Sequence, residues 1–195
     1  MKKTAIATAA LLTVTLFSTV APAVHAADVT LPSSGDVNFV ANPTTGAGEI
    51  KLTKAPSVDF GDQEISGSDA KYDAATITDS IVVDDNRGSN EGWKLTVANT
   101  QFTGSKELAG AKLTLTPGTV SNNNGASYNA TQPTADMVLD GSSQSVAVVD
   151  AAKDMGMGTN TLPVTKATLD VPGASTKLKE KYTSVITWTL NDAPL

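Results

Sequence analysis

The densest set of chemistry-bearing side chains is Asp84-Asp85-Asn86-Arg87-Gly88, with Glu91 close behind. Carboxylates gathered in a polar loop are calcium ligands. A pair of carboxylates is also what a glycosidase needs, provided the two stand at a defined separation about the scissile bond. Neither chemistry fits the spacing. Gly88 occupies the third liganding position of the Asp-x-Asn-x-Asp-Gly pattern, and adjacent residues of an extended segment point to opposite faces. The expectation is a solvated loop with no metal, no cofactor and no catalytic residue. In it Arg87, the only arginine of the chain, pairs with a neighbouring carboxylate through a charge-assisted contact.

Other catalytic classes fail on composition. The chain has no cysteine, and its one histidine is His25. Ser-His-Asp and Cys-His sites, thiolate chemistry and ordinary zinc ligation are excluded on the segment after residue 26. The formal net charge is −6, which repels nucleic acid and anionic membranes. Lys177, Lys179 and Lys181 form the one basic run, read as a solvated segment, with contact to an anionic polymer as the alternative.

The N-terminus reads as an export signal. Met1-Lys2-Lys3 is basic, Ala5 to Val20 carries no charge, and Val24-His25-Ala26 is a small-x-small site. Residues 1–26 are expected to be a signal peptide cut after Ala26, leaving residues 27–195 as one β domain. The uncharged run is short for a spanning helix and rich in Ala and Thr, so membrane insertion is not expected. Removal of Lys2 and Lys3 makes the product two charges more negative.

The elements that must carry these residues are strands. Gly92-Trp93-Lys94-Leu95-Thr96-Val97 alternates, with Trp93, Leu95 and Val97 on one face. Lys181 to Leu190 alternates again, with Tyr182, Ile186, Trp188 and Leu190 on one face and Thr183, Val185, Thr187 and Thr189 on the other. These are the only two tryptophans, each in a Trp-x-Leu triplet. Since the apolar face of a half-buried strand is the core face, the triplets are expected to pack the interior; an exposed binding platform is the alternative.

Further short strands are read at Val37–Ala41, Ile50–Leu52, Ser57–Phe60, Ser80–Val83, Ala111–Thr116, Met137–Leu139 and Ser145–Val149. Leu162–Val171 holds one or two more, and its Pro163 suits an edge. Thr176–Lys181 has room for one helical turn. Many short runs broken by Gly, Pro, Asn and Asp, with no sustained helical period, predict an all-β fold. The expected form is a single-domain β-sandwich or barrel-like sandwich with long loops and at most one short helix.

Taken together, Phe60-Gly61, the Asp84-Asp85-Asn86-Arg87-Gly88 loop before Gly92-Trp93-Lys94-Leu95-Thr96-Val97, and the terminal Tyr182-to-Leu190 stretch resemble the WxL-domain surface proteins of Gram-positive bacteria. The resemblance implies a secreted, non-catalytic cell-surface protein that attaches non-covalently to peptidoglycan or an associated wall polymer. It also implies association with membrane-anchored or other WxL-type surface proteins. The alternative it leaves open is an interaction subunit held by such a partner, contributing to adhesion to host matrix or polysaccharide. The motif residues it singles out are Trp93, Leu95, Tyr182, Trp188 and Leu190, with the loop Asp84, Asp85, Asn86, Arg87 and Gly88 before the first triplet.

Overall fold

The computed structural model describes residues 34–40 and 48–192. The signal-peptide expectation for residues 1–26 lies outside them. The chain divides into two compact units, 1–38 and 39–195. The described part of the first, residues 34–38, is exposed and without regular structure. The strand expected at Val37–Ala41 is not formed over its described residues. Val37, Phe39 and Val40 are 76%, 89% and 76% exposed, and among the described residues no ladder includes them. Alternation prepares a strand, but a partner edge is needed to make one.

Among its described residues the second unit carries thirteen strands. In chain order they are β1 (Ile50–Lys54), β2 (Ser57–Asp59), β3 (Ala70–Asp73), β4 (Thr76–Thr78), β5 (Ile81–Asp85) and β6 (Trp93–Asn99). There follow β7 (Lys112–Pro117), β8 (Ser121–Asn122), β9 (Met137–Leu139), β10 (Val146–Ala151), β11 (Gly158–Leu162), β12 (Val164–Val171) and β13 (Ile186–Asn191). One 3-10 turn, Ala126–Tyr128, is the only helical element among the described residues. The turn expected at Thr176–Lys181 is not helical; Lys177 instead folds its ammonium back onto the Pro172 carbonyl at 2.8 Å.

The strands form open antiparallel sheets ordered β1-β5-β11-β8, β10-β6-β13, β3-β12-β7-β9 and β2-β4. The fold is all-β, with no closed barrel among the described residues. Its core draws on the inward faces of several sheets: Ile81 and Val83 of β5, Trp93, Leu95 and Val97 of β6, Leu113 and Leu115 of β7, Met137 and Leu139 of β9. Period-two alternation is strictest in β6, whose residues run buried, half-buried, buried from Trp93 to Asn99. It fails in β10, where a register shift between Ala147 and Val149 turns both Val148 and Val149 inward, as a bulge does.

Pro163 does not mark an edge. It separates β11, which lies between β5 and β8, from β12, which lies between β3 and β7. Both strands are interior, so the chain passes from one sheet to another at a residue with no N–H to lose. The Pro163 carbonyl is still used, accepting from Gly118 N at 2.8 Å.

Candidate functional site

β6 is the central strand of its sheet, and this position decides the fate of Trp93. The ring is 0% exposed, and its Nε1–H donates to the Gly156 carbonyl at 3.2 Å. A Cβ on Gly156 would come within 2.7 Å of that nitrogen. With φ at +75°, glycine is required there both for room and for backbone conformation. Leu95 and Val97 follow on the same face, both 0% exposed.

β13 pairs antiparallel with β6, placing Leu190 opposite Leu95 and Trp188 opposite Val97. Cross-strand partners share a face, so the two triplets form one apolar surface. Their leucines meet in the middle and their tryptophans lie toward opposite ends. Ile186, Trp188 and Leu190 pack against the main core but are only half-buried, because among the described residues β13 has a neighbour on one side alone.

Tyr182 is not part of this surface. β13 starts at Ile186, and upstream the pairing slips by one residue: Thr183 and Thr103 form an isolated antiparallel bridge, with N–H···O bonds of 2.8 and 3.1 Å, and side-chain bonds fill the gap between. Ser184 Oγ donates to the Thr100 carbonyl at 2.6 Å, Asn99 Nδ2 donates to Ser184 Oγ at 3.2 Å, and Val185 N donates to Thr100 Oγ1 at 3.0 Å. Tyr182 therefore joins a second, smaller cluster with Leu108, Ala111, Leu169 and Val171. Its hydroxyl accepts from Leu178 N at 2.8 Å.

The loop before the first triplet is built around one guanidinium. Asp85, at the end of β5, is 2% exposed. Arg87 Nε donates to Asp85 Oδ1 and Nη2 to Oδ2, both at 2.9 Å. Nη2 also reaches the Gly92 carbonyl at 2.7 Å, and Nη1 the Asp192 carbonyl at 3.0 Å. One side chain thus joins the exit of β5, the entry to β6 and the exit of β13. The hydrogen bond to Asp85 raises the Arg87 pKa further, against the opposing effect of burial.

The other loop residues are structural too. Asp84 faces away from Asp85 and is half-buried. The exposed Asn86 donates its N–H to the Glu49 carbonyl at 3.0 Å and accepts from Gly48 N at 2.9 Å, and Gly88 supplies a φ of +70°. With Asp85 committed to Arg87 and Asp84 on the opposite face, the pair can neither share a cation nor flank a bond. Among the described residues no three His, Cys, Asp or Glu side chains converge as a metal site.

Spacing gave no sign of one feature. A cleft of about 1060 Å³ opens over the second cluster, between the segments Val58–Ile65 and Lys177–Ser184. Phe60 and Phe102 meet edge-to-face in its floor, ring centroids 6.3 Å apart, and Tyr72 and Tyr182 complete an aromatic lining. These side chains come from separate parts of the chain, and only Phe60 and Tyr182 belong to stretches that carry the family resemblance.

A protein-family model described as WxL domain, surface cell wall-binding, matches residues 18–194. No curated protein and no solved structure matches the chain. With both Trp-x-Leu triplets side by side on one antiparallel pair, the chain belongs to the WxL family of surface, cell-wall-binding, non-catalytic domains.

Proposed function

We propose that this protein holds to the cell by direct, non-covalent contact with peptidoglycan, and that its Trp-x-Leu triplets frame the domain from inside. The family match over residues 18–194 supports the first part; the complete burial of Trp93, with its ring N–H bonded to Gly156, carries the second. A ring with no exposed surface has nothing to stack on a polymer. Trp188 and Leu190, half-covered, cap the core at the edge of the same sheet. Arg87 ties the two triplet strands at one end. The wall-facing species is residues 27–195, released from the signal after Ala26.

Purified residues 27–195 should sediment with purified peptidoglycan in the absence of any other protein. Complete recovery in the wash would remove the direct-contact reading. A second reading is favoured by the side of β13 that has no neighbour among the described residues, beside which Val185 is 64% exposed. A membrane-anchored or WxL-type surface protein could add a strand there and hold this chain as an interaction subunit. Sedimentation that appears only when such a partner is supplied supports that reading over the first.

A further inference from the structure

The cleft over the second cluster has lips of opposite charge. Asp62 and Glu64 lie on one, Lys179 and Lys181 on the other, and all four are exposed. Among the described residues none of the four makes an ion pair. The other charges on the basic lip are already engaged: Lys177 caps the Pro172 carbonyl, and Glu180 accepts from Ser105 N and Oγ at 2.9 and 2.8 Å. Each lip also exposes one aliphatic side chain at the mouth, Ile65 at 61% and Leu178 at 42%. Between them lies the apolar floor of Phe60, Tyr72, Phe102 and Leu169.

Such a cleft selects by charge pattern. A polyanion drawn to Lys179 and Lys181 meets Asp62 and Glu64 across the gap, and like charges across an interface suppress binding. A ligand carrying both a carboxylate and an ammonium satisfies both lips. Small apolar side chains between those charges cover Ile65 and Leu178 and fill the floor, in a volume of the size that ligand clefts have. We infer that this cleft is the wall-contacting site and that its occupant is the short peptide stem of peptidoglycan: zwitterionic, alanine-rich and extended. The inference rests on the direct-contact reading above and names the part of the polymer that is grasped.

Calorimetry with stem peptides released from purified peptidoglycan by an amidase, and separately with peptide-free glycan strands, tests it. Heat of binding is expected with the peptides and not with the strands. Leu178→Asp and Ile65→Asp should each weaken binding by about tenfold, as loss of a buried aliphatic contact does. Val138→Asp, at an exposed position on β9 outside the cleft, should bind as the native chain does. Reversing either lip, Asp62→Lys with Glu64→Lys or Lys179→Glu with Lys181→Glu, should weaken binding. Unchanged melting temperatures confirm that the variants are folded.

Three results would overturn the inference: binding to glycan strands in place of peptides, tighter binding when the acidic lip is reversed, or lip variants that sediment with whole peptidoglycan as the native chain does. The last would leave direct contact standing and move it elsewhere. Native protein that ignores whole peptidoglycan would remove the direct-contact reading and the cleft assignment together.

Discussion

Arg87→Ala should be among the most damaging single changes outside the apolar core. It leaves Asp85, 2% exposed, with its charge and without its two 2.9 Å donors. It also deprives the Gly92 and Asp192 carbonyls of a donor. Removing one partner of a buried pair costs about 3–5 kcal/mol. The Arg87 side chain keeps 12% of its surface in water, which places the expectation toward the lower end, about 3 kcal/mol. Against a total stability of about 5–15 kcal/mol for a domain, that is a large fraction.

Urea denaturation followed by tryptophan fluorescence reads this directly, since Trp93 passes from full burial to water. The double variant Asp85→Ala/Arg87→Ala should be more stable than Arg87→Ala alone, because it no longer buries an unpaired charge. A loss below about 1 kcal/mol, the range of exposed pairs, would refute the view of Arg87 as a buried pin. So would a double variant less stable than the single one.

Trp93→Ala should cost about 3–5 kcal/mol, and Trp188→Ala distinctly less, since it is only partly buried, on a strand paired on one side among the described residues; urea midpoints in the reverse order would contradict the burial argument. Glu180 has a pKa lowered chiefly by the Ser105 hydroxyl bond. A depressed folded-state pKa means the tether is in place above the ordinary glutamate range and is released as pH falls through the lowered value. Carboxyl titration by NMR should therefore place Glu180 below a free glutamate, and Ser105→Ala should move it up; an unmoved titration would show that the bond does not form in solution.

Much of the triplet site was legible from local pattern. Period-two alternation from Trp93 to Val97 and from Ile186 to Leu190 assigned every side chain to the correct face, because successive strand residues must point to opposite sides whatever lies beyond them. The same rule separated Asp84 from Asp85. It failed where neighbours decide. Val37 and Phe39 alternate as well as any strand, yet among the described residues they have no ladder. Tyr182 continues the β13 pattern on paper, but the pairing slips by one residue at the Thr103–Thr183 bridge, and its ring joins another cluster. β3 and β4, with Lys71, Asp73, Thr76 and Thr78 exposed, carry too little apolar signal to stand out without the strands they pair with.

The sequence by itself determined that this is an all-β, cysteine-free chain with two tryptophan strands and a polar loop leading into the first, because composition and period are local properties. Tertiary structure alone decided three further points: that the leucines of the two triplets face each other, that Arg87 reaches Asp192 from far along the chain, and that Phe60, Tyr72, Phe102 and Tyr182 line one cleft. Each depends on which strands become neighbours. That choice is made by burying together the inward faces of strands far apart in the chain, and no window of consecutive residues contains it.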